Sequence, residues 1–128
     1  MSYKILVVDD SKLARMAMAK VLHALRPDWE RVEASRAVEA LALAQQSHFD
    51  VALVDFNMPE RDGLHLVGEL RAQSPEMVLA VVSANLQREV VERANAVRAK
   101  FLAKPVSDIA MREFLDNAEA QLRANKSR

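Results

Sequence analysis

The chain has 128 residues, no cysteine, and 18 basic residues that balance 18 acidic ones. This length suits one domain, and the lack of cysteine excludes a disulfide framework and any thiolate-based zinc or redox site. A neutral net charge gives no bulk attraction to nucleic acid or anionic lipid. The longest apolar run, Met77–Val82, is far shorter than the roughly 20 residues of a membrane helix, and the sequence starts without a signal-peptide pattern. We therefore expect a single cytoplasmic domain over residues 1–128, with no nucleic-acid or membrane partner.

Short runs of β-branched and aliphatic residues predict the strands. Four of them are continuous, as in strands covered on both faces of a parallel sheet. These are Ile5–Val8, Val51–Val54, Val78–Val82 and the weaker Phe101–Ala103. A fifth run, near Trp29–Ala34, alternates between apolar and polar residues, which is typical of an edge strand.

The segments between and after these runs have helical periodicity. The stripes expected to face the sheet are Leu13, Met16, Ala17, Val21, Ala24 and Leu25 in the first helix, Val38, Leu41, Ala42 and Gln45 in the second, Leu64, Val67 and Leu70 in the third, Leu86, Val90, Ala94 and Val97 in the fourth, and Met111, Phe114, Leu115, Ala118 and Leu122 in the fifth. Ser35 and Ser107 are the expected N-caps of the second and fifth helices.

Five strand–helix units in alternation predict an α/β fold, with a parallel sheet, helices on both of its faces and right-handed crossovers. A closed eight-unit barrel needs about 250 residues and is excluded. Only two glycines and four prolines are present, which argues against an all-β fold with many tight turns. We therefore expect an open, doubly wound sheet.

Polar side chains follow four of the predicted strands. Asp9 and Asp10 follow the first, Asp55 the third, Ser83 the fourth and Lys104 the fifth. Ligands of open α/β sheets bind beyond the carboxyl ends of the strands, so these side chains should share one pocket. Three carboxylates in one pocket repel each other unless a cation compensates them. Because the set offers oxygen ligands only, it favours Mg²⁺, with Mn²⁺ as the other candidate.

The same pocket suits a phosphoryl group, since Lys104 and Ser83 supply an ammonium and a hydroxyl. Asp55 stands alone at its strand end, and we assign it as the nucleophile that forms an aspartyl phosphate. The turn signals after it, Pro59 and Asp62-Gly63, leave the loop backbone free to offer a carbonyl such as that of Asn57 to the metal.

These residues lie in four pieces that resemble the receiver domain of two-component response regulators. The pieces are Val8–Ser11, Val54–Gly63, Ser83–Ala84 and Lys104–Pro105, and the resemblance extends from Lys4 to about Leu122. It implies a CheY-like, flavodoxin-like fold in which a five-stranded parallel sheet of order 2-1-3-4-5 is flanked by five helices.

The resemblance also implies residue roles. Asp55 is the phosphoacceptor, and Mg²⁺ is held by Asp10, by Asp9 mainly through water, by Asp55 and by the carbonyl of Asn57. Ser83 contacts the phosphoryl oxygens.

Three further roles concern the fifth strand and the residues after it. Lys104 is the second phosphoryl contact, and the Lys104–Pro105 peptide bond is cis. Phe101 falls at the position of the family's switch aromatic, which acts together with Ser83.

The implied partners are a histidine kinase or a histidine phosphotransfer protein upstream and an unknown protein downstream. The downstream protein would bind the face made by the fourth helix, the fifth strand and the fifth helix. Since no output domain follows the fifth helix, we expect a stand-alone switch, either a monomer or a phosphorylation-dependent dimer. Its only reactions would be its own phosphorylation and slow dephosphorylation.

The sequence departs from the family pattern twice. Val97-Arg98 replaces the usual Gly-Ala before the fifth strand, so the fourth helix must end without that glycine, and Asn95 is the expected alternative. Ser83 replaces the commoner threonine, which keeps the hydroxyl but loses a methyl group, so we expect looser coupling to Phe101.

Three other functions compete with this interpretation. A flavin binder needs phosphate-binding N–H groups and hydroxyls in the first strand–helix loop, where Asp9 and Asp10 repel phosphate. A phosphatase acting through Asp55 needs an acid or base beside the leaving group, and Asn57 cannot supply one. A receiver-like interaction scaffold that works without phosphorylation stays open as the alternative.

Overall fold

The computed structural model describes residues 2–58, 62–84 and 87–126. Within them five strands and five helices alternate, as the sequence predicts. The elements are β1 (Lys4–Val8), α1 (Lys12–Leu25), β2 (Glu30–Ala34), α2 (Ala37–Gln46), β3 (Val51–Asp55), α3 (Gly63–Gln73), β4 (Val78–Ser83), α4 (Arg88–Ala96), β5 (Ala99–Ala103) and α5 (Asp108–Lys126). None of the helices in these ranges has the length and apolar character needed to span a bilayer.

The strands form one parallel sheet of order β2-β1-β3-β4-β5, which confirms the expected topology. β2 lies at an edge, and most of its residues are exposed or half-buried. In the register of the central strands, Val8 lies beside Val54 and Asp55 beside Val82. The carboxyl ends of β1, β3 and β4 therefore meet at the same edge of the sheet.

Two apolar cores cover the two faces of this sheet. Val8 and Val54 belong to the core shared with α2, α3 and α4. Val7 and Leu53, their neighbours in sequence, belong to the core shared with α1 and α5. Because successive strand residues point to opposite faces, a sheet covered on both sides needs the continuous apolar runs seen in the sequence.

The helix stripes were predicted correctly for some helices and wrongly for others. All the listed apolar residues of α3 and α5 are buried. In α1, however, Leu13 and Met16 are 78% and 56% exposed, and Met18 and Leu22 are the buried residues. The buried face of α1 is thus rotated by about one residue from the predicted stripe. A wide apolar stripe does not determine this rotation, which depends on what the helix packs against.

The same error occurs in α2, where Val38 is exposed and Ala37 and Ala40 face the core. These alanines let the helix lie close to the sheet, and the larger Val38 side chain turns outward. Leu41, which was predicted to face the sheet, does pack against this core, as does Leu43. Within the predicted stripe, Val38 and the exposed Ala42 and Gln45 are the residues that were placed wrongly.

One of the two predicted N-caps is confirmed. The Ser107 hydroxyl accepts a hydrogen bond from the N–H of Ala110 at 3.1 Å. Ser35 does not cap α2, because the N-cap position is Arg36, whose side chain makes no capping hydrogen bond. Instead the N–H of Ser35 donates to the Glu39 carboxylate at 2.8 Å, so the first turn is closed by Glu39 reaching back along the chain.

The C-terminus of α4 also differs from the expectation. Arg98, not Asn95, takes the left-handed conformation, with φ of 57°. Its N–H donates to the Asn95 carbonyl at 3.0 Å, which satisfies one carbonyl of the last helical turn. The missing glycine is therefore replaced by a strained arginine one position further on.

Candidate functional site

Three carboxylates meet at the carboxyl edge of the sheet. Asp9 follows β1 and is fully buried, Asp55 ends β3 and is 3% exposed, and Asp10 is exposed. One oxygen from each of the three carboxylates lies within 4.8 Å of the other two. The parallel register that brings the ends of β1 and β3 together thus produces the acidic pocket expected from the sequence.

Lys104 brings a positive charge into this pocket. Its Nζ donates to Asp9 Oδ2 at 2.9 Å and lies 2.9 Å from Asp55 Oδ1. The backbone N–H of Lys104 donates to the Ser83 carbonyl at 3.0 Å, which ties the end of β5 to the end of β4. The Lys104–Pro105 peptide bond is cis. The lysine thus links three strand ends through one side chain and one backbone hydrogen bond.

Asp9 is held on all sides. Its Oδ1 accepts from the N–H of Ser11 at 2.9 Å, and its Oδ2 accepts from Lys104. Its backbone N–H donates to the Ala34 carbonyl at 3.1 Å. Because both oxygens of this buried carboxylate are hydrogen-bonded, the side chain of Asp9 has a defined orientation in the pocket.

Asp55 has a different environment. Burial raises the pKa of its carboxyl and the neighbouring charge of Asp9 raises it further, while Lys104 and the backbone N–H of Asn57 oppose this rise. Lys104 Nζ forms an ion pair with Asp55 Oδ1 at 2.9 Å. Among the described residues this buried oxygen otherwise has no hydrogen-bond partner.

An orphaned carboxylate oxygen beside two other carboxylates fits a divalent cation. A buried polar atom without a partner is costly, and a metal ion or a phosphoryl group removes that cost. The cluster offers carboxylate oxygens and no nitrogen or sulfur ligand, which is the donor set that Mg²⁺ prefers. The residues present therefore fit the metal expected from the sequence.

Gly63 allows α3 to begin directly against Asp55. A Cβ added at Gly63 would lie 2.1 Å from the Asp55 carbonyl oxygen, closer than any real contact. The N–H of Gly63 donates to the Phe56 carbonyl at 2.8 Å, and Asp62 caps the helix by accepting from the N–H of His65 at 2.8 Å. The Asp62-Gly63 pair thus does more than turn the chain, because it also brings α3 against the end of β3.

The other predicted site residues are distributed as follows. Ser83 is fully buried at the end of β4, and Asn57 is exposed just after Asp55. Phe101 is half-buried in β5 and packs against the core beneath α2, α3 and α4. Pro59, together with the rest of positions 59–61, lies outside the described residues, and so does Leu86 of the predicted fourth-helix stripe.

Arg15 is a site neighbour that the sequence analysis missed. Its Nη1 donates to the backbone carbonyl of Asp9 at 2.7 Å, and its Nε donates to Glu33 Oε1 at 3.1 Å. The local sequence around an arginine in the first turn of a helix does not predict such a contact, because Glu33 lies 18 positions away, on β2.

Residues 5–116 match the family model of the response regulator receiver domain. The chain belongs to this family. Receiver domains are signalling switches of two-component systems, and phosphorylation on an aspartate is characteristic of them. They bind Mg²⁺ at an acidic pocket and act with histidine kinases or phosphotransfer proteins and with downstream effectors.

Solved structures support the same assignment. Vibrio cholerae chemotaxis protein CheY4 is 30% identical, with a TM-score of 0.83, over 92% of this receiver domain and 99% of CheY4. A CheY-like receiver domain protein from Methanospirillum hungatei has a TM-score of 0.87 over 97% of this chain and 99% of its own. At 23% identity, the second match supports the fold alone.

The receiver domain also resembles parts of longer bacterial proteins. It is 35% identical to protein-glutamate methylesterase/protein-glutamine glutaminase 3 of Rhodospirillum rubrum, over 94% of this chain and 35% of that protein. It is also 35% identical to transcriptional regulatory protein PdtaR of Mycobacterium tuberculosis, over 81% of this chain and 50% of PdtaR. The chain thus spans between a third and a half of these relatives.

Proposed function

We propose that Asp55 accepts a phosphoryl group from a phosphohistidine on a histidine kinase or a histidine phosphotransfer protein. Mg²⁺ would be held by the carboxylates of Asp10 and Asp55, by that of Asp9 mainly through water, and by the carbonyl of Asn57. The observation that carries this proposal is the buried Asp55 Oδ1, which faces a lysine ammonium and has no hydrogen-bond partner among the described residues. The lone pairs of such an oxygen are not engaged by any other donor, and its charge is already neutralised in part.

The transfer is an in-line displacement. A carboxylate oxygen of Asp55 attacks phosphorus, the new O–P bond forms, and the P–N bond to the donor histidine breaks. The imidazole nitrogen keeps the electron pair of that bond and takes up a proton. Mg²⁺, when bound, neutralises the phosphoryl oxygens so that an anionic nucleophile can approach them.

The residues of this chain supply positioning and charge. Asp9 Oδ2 accepts a 2.9 Å hydrogen bond from Lys104 Nζ, which holds the ammonium beside Asp55 before phosphorylation. Afterwards Lys104 and the Ser83 hydroxyl bind the phosphoryl oxygens, because a dianion attracts both donors more strongly than a carboxylate does. Catalysis thus consists of holding the reacting groups in place and balancing their charges.

Phosphorylation would then change the affinity of the α4–β5–α5 face for a partner protein. Movement of Ser83 towards the phosphoryl group opens space beside β4, and the half-buried Phe101 on the neighbouring strand shifts into it. This is a shift between two populations of the receiver domain. We propose residues 1–128 as one such domain, whose output is contact with another protein or onward phosphotransfer.

Incubation with Mg²⁺ and acetyl phosphate tests the acceptor. Mass spectrometry should find one phosphoryl group on the wild type and none on Asp55→Asn. Asp50→Asn is the matched control. Asp50 precedes the same strand, but its carboxylate accepts a hydrogen bond from the N–H of Lys4 at 2.9 Å, so this variant should be labelled like the wild type. Labelling of Asp55→Asn to the wild-type level would refute the assignment, and a purified phosphohistidine protein in place of acetyl phosphate tests the donor class.

Lys104→Ala tests transmission of the signal. This variant should still be labelled, but chemical-shift changes along α4, β5 and α5 should be reduced on phosphorylation. Lys100 is an exposed lysine of the same strand, and the control variant Lys100→Ala should respond like the wild type. A complete response in Lys104→Ala would show that the lysine does not carry the signal.

A further inference from the structure

Arg15 joins three elements around the acidic pocket. It lies at the end of the first turn of α1, and its side chain is 17% exposed. Its Nη1 reaches the Asp9 carbonyl after β1 at 2.7 Å, and its Nε reaches Glu33 Oε1 on β2 at 3.1 Å. The guanidinium thus uses its fixed fork to bond two acceptors from different strands.

The Asp9 carbonyl belongs to the peptide group that joins Asp9 to Asp10. A peptide group is planar and contains the Cα atoms of both residues that it joins. A hydrogen bond to its oxygen therefore restrains the orientation of Asp9 and Asp10 together. The N–H of Asp9 is already bonded to the Ala34 carbonyl at 3.1 Å. Arg15 therefore completes the restraint on the segment that carries two of the three carboxylates.

We propose that Arg15 is a positioning residue for the divalent-cation site, which it serves by holding the Asp9–Asp10 peptide in a binding-competent orientation. This inference rests on the function proposed above. A cationic side chain beside a cation site is unfavourable by charge alone. Glu33 offsets this effect, because it pairs with Arg15 at 3.1 Å and leaves the pair nearly neutral.

The sign of the effect on metal affinity separates positioning from simple electrostatics. Removal of the charge of Arg15 should tighten cation binding if charge were all that mattered, whereas loss of the Asp9 restraint should weaken it. Arg31 is a matched control, because its Nε lies 3.7 Å from the other oxygen of Glu33, Oε2, on the same strand. Arg31→Gln removes the same charge and leaves the Arg15–Asp9 hydrogen bond intact.

The test is a titration of the full chain with Mn²⁺, in which free Mn²⁺ is followed by electron paramagnetic resonance and Mg²⁺ is the competitor. Arg15→Gln should bind about tenfold more weakly than the wild type, the size found when groups that orient metal ligands are removed. Arg15→Lys keeps the charge but lacks the fork that serves both acceptors, and it should also bind more weakly. Arg31→Gln should bind as tightly as the wild type or slightly more tightly.

Circular dichroism identifies any variant that fails to fold, in which case the milder Arg15→Lys decides the question. Wild-type affinity in a folded Arg15 variant, together with lost binding in Asp10→Asn, would overturn the positioning role and leave the proposed function standing. Equal weakening in Arg15→Gln and Arg31→Gln would also overturn it. A wild type that takes up neither ion would overturn both proposals.

Discussion

Lys104 Nζ donates a 2.9 Å hydrogen bond to Asp9 Oδ2, across 95 positions of sequence. Burial by itself would lower the pKa of Lys104, but its close contacts with the Asp55 and Asp9 carboxylates, together with their negative charges, raise it above its ordinary value. The lysine therefore stays charged near neutral pH. In the absence of metal it is the cation that keeps two buried carboxylates together.

Lys104→Ala should consequently destabilise the fold. Removal of one partner from a largely buried ion pair leaves uncompensated charge, and we expect a loss of about 2 to 3 kcal/mol in the free energy of unfolding. Urea denaturation with and without Mg²⁺ measures it, and the metal should stabilise this variant more than the wild type.

Lys100→Ala is the control for Lys104→Ala, and a change within about 0.5 kcal/mol is expected for this exposed side chain. If Lys104→Ala were as stable as the wild type without Mg²⁺, the lysine would not be the balancing cation.

Asp55→Asn should have the opposite effect on stability. Burial raises the pKa of Asp55 above its ordinary value of 3.8, so folding disfavours the ionised form. Below pH 3.8 the carboxyl is protonated in both the folded and unfolded states and costs nothing. As the pH rises through the folded-state pKa, the wild type loses stability that the amide variant keeps.

The gain of Asp55→Asn over the wild type should therefore grow with pH from acid to neutral, as measured by chemical denaturation at a series of pH values. Asp50→Asn should instead destabilise slightly, because the amide oxygen still accepts from the Lys4 N–H but lacks the negative charge that strengthens this 2.9 Å hydrogen bond. A pH-independent difference between Asp55→Asn and the wild type would contradict the burial of this charge.

Gly63→Ala should damage both the fold and the site. The added methyl group would lie 2.1 Å from the Asp55 carbonyl oxygen, so α3 must move away from β3. We expect a loss of about 3 kcal/mol in the free energy of unfolding and reduced labelling of Asp55 by acetyl phosphate.

Gly68→Ala is a matched control in the same helix, because among the described residues no atom outside the local helix backbone lies within 4 Å of a Cβ built there. Its helix propensity should add up to about 1 kcal/mol of stability. Normal labelling and stability of Gly63→Ala would mean that α3 does not begin against Asp55.

Arg98→Gly should stabilise the receiver domain. Arg98 has φ of 57°, and a side chain in this region costs roughly 1 kcal/mol that glycine avoids. Burial lowers the pKa of Arg71, and the positive charge of Arg98 lowers it further. Arg98→Gly also removes this second contribution. Thermal unfolding should show a rise in midpoint of a few degrees.

Val97→Gly tests the alternative position. Val97 has φ of −104°, which any residue adopts, and its half-buried side chain packs against the core. We expect this variant to lose about 1 kcal/mol. If Val97→Gly stabilised the receiver domain more than Arg98→Gly, the strained residue would not be Arg98.

Part of the molecule could be predicted because it depends on local pattern. Continuous apolar runs indicate buried parallel strands, and the carboxyl ends of such strands must share an edge. The polar residues directly after those runs, Asp9, Asp55 and Lys104 among them, could therefore be placed in one pocket before any coordinates were known.

The rest depended on contacts between distant elements. The rotation of α1, which exposes Leu13 and buries Met18, follows from what the helix meets and not from its own stripe. Arg71 donates to the carbonyls of Met77 and Val97 at 2.7 and 3.0 Å, and Arg15 donates to that of Asp9 at 2.7 Å. Long side chains have many rotamers, so only the finished packing of the chain selects their partners.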